Sequence, residues 1–319
     1  MTFRLGYQVV SFTYPGGAPS IRDTLLEQAR EAEVGGFDAV MVMDHFLQLD
    51  SHGALDEPML ECYTTLGVLA AATSRVRLSA LVTGNTYRNP ALLAKTVTTL
   101  DVLSGGRAVL GLGAGWFREE HEAFGFEFGT VTDRFQRLEE ALSIITPMLA
   151  GERPTVEGVW YGARDALNEP RLGRVPVLLG GSGEQKTFRL AARFADHLNL
   201  ICPYDVIDHK VRVLAQRCEE AGRDPATLAT SFLVSAVPVE AARDVARVRA
   251  DLTPYMQEFA LVGTPEHIAG RVAEEVLGRG VGGVVVNLPT TGHVRGTVRA
   301  VAEALLPVLG ATGGGGDVA

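Results

Sequence analysis

Short apolar runs and helix-period segments alternate along the chain from end to end. Residues 5–10, 37–43, 76–82, 107–112, 175–179, 197–201, 230–239 and 283–288 have the length and apolar content of buried strands. Between them, apolar residues recur at helical spacing over 21–35, 59–72, 90–103, 132–149, 184–194, 206–221, 240–250, 265–277 and 294–309. In 21–35, Leu25, Ala29, Ala32 and Val34 recur on one side, and Gly35-Gly36 ends the segment. Pro90 opens its helix where a missing N–H is harmless, with Asn89 as the cap. Eight strand–helix repeats in about 310 residues predict a (β/α)8 TIM barrel. The alternative is an open doubly wound sheet. Its dinucleotide fingerprint is missing from the first strand exit, where Ser11-Phe12-Thr13-Tyr14-Pro15-Gly16-Gly17 stands instead.

The alternation breaks at 151–174, a stretch holding Pro154, Pro170 and Trp160-Tyr161. It reads as an excursion over the barrel's surface or mouth. The expected organisation is one barrel domain over 1–310 with a disordered glycine-rich tail at 311–319.

The polar and glycine-rich departures all follow strands, and in a barrel such ends meet on one face, where active sites lie. The second strand ends in Asp44-His45-Phe46, the third in Thr83-Gly84-Asn85-Thr86-Tyr87-Arg88-Asn89-Pro90. The fourth ends in alternating glycines, Gly111, Gly113 and Gly115, then Trp116 and Phe117. Glycine there leaves backbone against which a flat ring lies. The fifth ends in Gly180-Gly181-Ser182-Gly183, running into a helix N-terminus, an arrangement that suits a phosphate. A plain strand-to-helix loop is the simpler account of that stretch. The imidazole of His45 donates to a carbonyl or exchanges a proton near neutral pH. Asp44 and His45 taken alone read as a cap and a surface pair; beside two glycine loops they are candidate catalytic residues.

Charge and composition narrow the partners. A net charge of −9 and 46% hydrophobic residues describe a globular chain poorly suited to nucleic acid. No apolar run approaches membrane-spanning length, and the first residues lack a signal-peptide plan. Cys62, Cys202 and Cys218 form no framework and read as reduced thiols, so a cytoplasmic setting is expected. No metal site is expected: Glu119-Glu120-His121-Glu122 looks like part of a zinc motif but lacks the second histidine. No serine sits in a nucleophile elbow. His52, His197, His209, His267 and His293 read as structural or exposed. With neither metal nor nucleophile in view, a bound organic cofactor becomes the carrier of the chemistry.

These strand-end motifs together resemble the luciferase-like monooxygenase superfamily, and most closely its coenzyme F420-dependent oxidoreductases. The resemblance rests on 36–46, 83–95, 110–116 and 180–184 and extends over about residues 3 to 310. It implies a (β/α)8 barrel binding a deazaflavin, or alternatively FMN, at its C-terminal mouth. It implies a bulge with a non-prolyl cis peptide near Ala80-Leu81, cofactor contacts at Asp44 or His45, Thr83, Asn85, Gly113 and Gly115, and phosphate contacts at Gly180, Gly181, Ser182 and Gly183. His45 matches a position near the reactive ring. His197-Leu198 replaces a Gly-Trp common in relatives, which alters the wall expected near the sixth strand. Trp116, Phe117 and Trp160 are expected to shape the pocket of a small-molecule substrate, and relatives often form homodimers. The expected activity is hydride transfer between the deazaflavin and that substrate. Alternatives are a reduced-FMN monooxygenase using oxygen, a phosphate-recognising hydrolase or isomerase, and a non-catalytic flavin-binding protein.

Overall fold

The computed structural model describes residues 3–311, in which eight parallel strands close into a barrel. They are β1 (Leu5–Val9), β2 (Ala39–Val42), β3 (Arg77–Ala80), β4 (Ala108–Gly113), β5 (Val177–Gly180), β6 (His197–Leu200), β7 (Ala229–Pro238) and β8 (Val284–Asn287). Each pairs with its sequence neighbours, and β8 returns to β1 through Leu5↔Val284 and Gln8↔Asn287. This is the TIM-type barrel expected from the alternation. Of the expected tail, only Ala311 lies among the described residues, where it closes the last helix; 312–319 lie outside them.

Strand register separates two cores. Inward positions carry Phe3, Ala39, Met41, Val109, Leu178 and Val285, which fill the closed end of the barrel. Outward positions join the helices in one large apolar cluster that includes Tyr7, Val40, Leu78, Leu110 and Leu179. Further up, the inward positions turn polar: Gln8, Asn199, Ser235 and Asn287 face the mouth. The changed pair at 197–198 does not alter the wall of the site. His197 is buried in the closed end, stacked on Phe3 at 4.3 Å, with Nε2 2.8 Å from Ser231 Oγ. Burial lowers its pKa to about 3, so it is a neutral core group.

The helices are α1 (Ala18–Gly35), α2 (Cys62–Ala72), α3 (Pro90–Ser104), α4 (Arg118–Phe124), α5 (Val131–Ala150), α6 (Thr187–Phe194), α7 (Ile207–Glu220), α8 (Val245–Ala250), α9 (Pro254–Phe259), α10 (Pro265–Glu275) and α11 (Thr297–Ala311). Two of these, α4 and α9, escaped the sequence reading because seven and six residues hold too few turns to show a period. α5 is the longest at 20 residues and begins at a reciprocal capping box between Thr130 and Asp133. No helix among the described residues is long and apolar enough to cross a membrane.

The excursion after α5 contains a short antiparallel pair, Val156–Glu157 with Gly162–Ala163. It is tied to α5 by the Glu140 carboxylate, which accepts from the backbone N–H groups of Val159, Trp160 and Tyr161 at 2.8 to 3.0 Å. Asn168 anchors its far side by donating to Thr98 Oγ1 and the Met148 carbonyl.

Candidate active site

The strand ends surround one deep cavity of about 650 Å³ at the C-terminal mouth. Its centre is a bulge after β3. β3 pairs with β4 at Ser79↔Val109, and pairing resumes at Thr83↔Leu112. Four steps on one side thus match three on the other, so one extra residue is accommodated between them. The peptide bond Leu81-Val82 in this bulge is cis, one bond beyond the expected Ala80-Leu81. Leu81 and Val82 line the cavity; Ala80 lies behind them, buried.

The glycines serve this bulge. A Cβ on Gly111 would lie 1.9 Å from the Ala80 carbonyl oxygen. One on Gly113 or Gly180 would lie 2.8 or 2.9 Å from the Val82 side chain. The glycines therefore are not themselves a floor for a flat ring. They make room for the Ala80 carbonyl and for Val82, whose side chain stands there instead. Gly115 is required in addition by its positive φ of 78°. Gly113, Gly115, Gly180 and Gly181 nevertheless line the cavity, as does Thr83.

On the β2 side, Asp44 and His45 have separate partners. Asp44 is buried and takes a bidentate contact from Arg88, at 2.6 and 2.9 Å, and the Gly84 N–H at 3.1 Å. Burial pushes its carboxyl above the usual value, against the opposing pull of Arg88. Asp44 thus braces the 83–88 turn, and its oxygens are not free for proton transfer. Arg88 is likewise spent, on Asp44 and on Glu61 at 2.8 Å.

His45 lines the cavity and donates from Nδ1 to Glu120 Oε2 at 2.9 Å. A carboxylate only accepts, so Nδ1 keeps its proton and Nε2 is the nitrogen left for a ligand. Glu120 is fully buried and also accepts from Tyr87 Oη at 2.6 Å, Leu47 N–H at 2.9 Å and Phe46 N–H. Burial disfavours its charge, but His45, Tyr87 and Leu47 outweigh that and hold its carboxyl below the usual range. Glu120 had been read only as part of a metal-like run. Its position on the short α4 hid the contact with a residue 75 positions away.

On the opposite side, the 180–183 loop contributes less than expected. Gly180, Gly181 and Thr187 line the cavity; Ser182 and Gly183 do not. The Ser182 hydroxyl is bonded to the Ile201 backbone, and the Gly181 N–H to the Asn199 carbonyl at 3.0 Å. Arg134 of α5 also lines the cavity, at the β4 exit. Its guanidinium donates to the Gly115 and Gly129 carbonyls, both at 3.0 Å, and stacks 3.8 Å from the Phe128 ring. No carboxylate among the described residues pairs with it. Burial, and then the nearby Arg118, pull its pKa below the usual value. Pattern reasoning missed this cation because it sits in the first turn of a helix rather than at a strand end.

Of the three aromatics, Trp116 lines the mouth at 61% exposure. Phe117 is buried behind it at 5.3 Å, with Val10, Met43 and Leu49, and meets His45 edge-on. Trp160 is elsewhere: its ring covers Arg137 at 4.2 Å in a separate hollow with Glu127 and Tyr161. Asn85, an expected cofactor contact, is buried with its Nδ2 unpartnered and does not line the cavity, whereas Asn287 lines it with its Oδ1 unpartnered. His52 was read as peripheral but lines the cavity; burial lowers its pKa to about 4, leaving it neutral.

Residues 7–256 match the luciferase-like monooxygenase family. A curated F420-dependent glucose-6-phosphate dehydrogenase of Microbacterium testaceum is 40% identical over 54% of this chain and 50% of its own length. This chain thus spans about half of that relative. The 5,10-methylenetetrahydromethanopterin reductase of Methanolobus tindarius is 30% identical over 76% of this chain and 69% of its own. Among solved structures, an F420-dependent secondary alcohol dehydrogenase superposes with a TM-score of 0.81 at 21% identity, covering 97% of this chain and 99% of that one. With the family match covering most of the chain and the barrel mouth built as described, this protein belongs to the luciferase-like monooxygenase family.

Proposed function

We propose that this protein is an oxidoreductase that transfers hydride between the deazaflavin coenzyme F420 and a small organic substrate bound at the barrel mouth. The observation that carries the reading is the His45–Glu120 pair at the wall of a 650 Å³ cavity that Arg134, without a carboxylate partner among the described residues, also lines. Relatives named for F420 dependence support the choice of cofactor. The residues present fit such a group. Asn287 offers the cavity a buried acceptor that lacks a partner. Arg134 offers a cation and Thr187 a hydroxyl for an anionic side chain.

When bound, the deazaflavin supplies the carbon that gives or takes hydride. The protein does the rest. Leu81 and Val82 present the apolar surface at the cavity centre. Glu120 orients the His45 ring, and His45 Nε2 holds or receives the proton that accompanies the hydride. Trp116 and Phe117 shield that imidazole from water on one side.

An absorbance and fluorescence titration with oxidised F420, run against FMN, tests the reading. Saturable F420 binding with weaker FMN binding is expected. Tight FMN binding without F420 binding would replace it by the reduced-FMN monooxygenase.

A further inference from the structure

The cavity wall carries a chain of side-chain amides whose sense is set by the bulge. Gln8 on β1 and Asn287 on β8 stand opposite each other in the register, and both line the cavity. Gln8 Nε2 donates to the Leu81 carbonyl oxygen at 2.9 Å. A carbonyl oxygen only accepts, so the Gln8 amide turns its NH2 to the bulge and its oxygen away. That oxygen, Oε1, accepts from Asn287 Nδ2 at 3.3 Å. Asn287 therefore turns its own oxygen to the remaining side. There Oδ1 is buried without a protein partner, on a residue that is 1% exposed. Ser235, opposite Asn287 on β7, does not donate to it. Flipping either amide would set oxygen against oxygen, so one bulge carbonyl fixes two side chains in succession.

A buried acceptor of fixed sense is selective. Left alone, it carries the cost of its lost hydration. An N–H or O–H brought to it removes that cost. A group that only accepts, such as an ether, a carboxylate or an N-methylated imide, meets it lone pair to lone pair. Ligands are then sorted at this point by hydrogen-bond polarity rather than by size.

We propose that Asn287 Oδ1 is a specificity-determining acceptor that takes a neutral hydrogen-bond donor from the occupant of the cavity, and that Gln8 is the residue that positions it. Two occupants can carry such a donor. One is a flavin or deazaflavin ring, through the imide N–H of its pyrimidine edge. The other is a neutral small molecule bound beside the ring. The deazaflavin as occupant rests on the hydride-transfer reading above; the polarity of the acceptor rests on the amide chain alone.

The test compares ligands that differ by methyl groups, on the full chain. Riboflavin and 8-hydroxy-5-deazariboflavin, which carry the ring systems of FMN and F420, are titrated against their N3-methyl derivatives by absorbance and ligand fluorescence. Methylation is expected to weaken binding about tenfold or more. In Asn287→Leu, checked by thermal melting to be folded, the parent rings should weaken and the two forms should bind alike. Gln8→Met frees the Asn287 amide to turn and should collapse the same ratio. A merely structural role for Gln8 would weaken both forms equally and leave the ratio intact. A second arm compares acetamide with N,N-dimethylacetamide by ligand-observed NMR, with and without F420.

A methylation penalty that vanishes in Asn287→Leu upholds the proposal and makes the ring the donor. Equal binding of the ring pairs, with an acetamide preference of about fivefold that vanishes in Asn287→Leu, upholds it and makes the second molecule the donor. No preference in either arm, absent binding included, or a preference that survives Asn287→Leu, would overturn it. A penalty confined to the riboflavin pair, without deazaflavin binding, would keep the acceptor and remove the cofactor reading. A ratio unchanged in Gln8→Met would remove the positioning role of Gln8.

Discussion

The two halves of the cavity are built by different means. The rim formed by the exits of β4 and β5 is backbone and one buried guanidinium: Gly113, Gly115, Gly180, Gly181, Thr187 and Arg134. The other half is side chain, with aromatic and branched walls, and one imidazole that burial holds neutral. Backbone amides and a fixed cation suit a group that is always present and always anionic. Side-chain walls are easily altered by substitution and suit the part of a reaction that differs among relatives. The bulge at Leu81 and Val82 divides the two, and the His45–Glu120 pair stands beside it.

That division is best broken at the imidazole. His45→Gln keeps a donor for Glu120 but cannot exchange a proton; it is expected to lower kcat by roughly 10²- to 10⁴-fold. F420 affinity, followed by absorbance, should change only a few-fold. A loss confined to cofactor affinity would move His45 from proton handling to binding.

Glu120→Gln comes next. It removes the charge that accepts from His45, Tyr87 and Leu47 and is expected to destabilise the fold by about 1.5 to 3 kcal/mol at neutral pH. The pH dependence follows from its depressed pKa. The ionised carboxylate stabilises the folded protein above the unfolded value of about 4.5, and that contribution is lost as pH falls through the lower folded value. Thermal melts from pH 7 to pH 3 should therefore converge for the two proteins at the acid end. Parallel curves would mean that Glu120 contributes shape rather than charge.

Gly111→Ala tests the divide itself. The added methyl meets the Ala80 carbonyl, and the bulge must move. A loss of about 1 to 3 kcal/mol in chemical denaturation is expected, with weaker binding in both halves. Arg134→Gln is the mildest and sharpens the comparison most. F420 affinity should fall roughly tenfold, as for the loss of one charge-assisted contact.

Much of the site was legible along the chain because barrel strand ends converge by topology. His45, Thr83, Gly113, Gly115, Gly180 and Gly181 all reach the cavity from positions recognisable as strand exits. Other contributors gave no such signal. Glu120 and Arg134 lie on helices, where an acidic or basic residue ordinarily marks a solvated face. His52 lies in a long loop, and Tyr255 on a helix of one and a half turns. Trp160 was misassigned because an aromatic in an excursion gives no indication of which side of the mouth it covers; here it covers Arg137.

The sequence by itself determined the barrel, the face on which its chemistry lies and the points where glycine is needed. Those follow from period, strand count and the steric freedom of one residue type, all local properties. Only the tertiary structure decided what the glycines accommodate, which nitrogen of His45 remains available, and that Asp44 is consumed by Arg88. Each of these depends on which atoms, tens of residues apart in the chain, come within a hydrogen bond's length of one another.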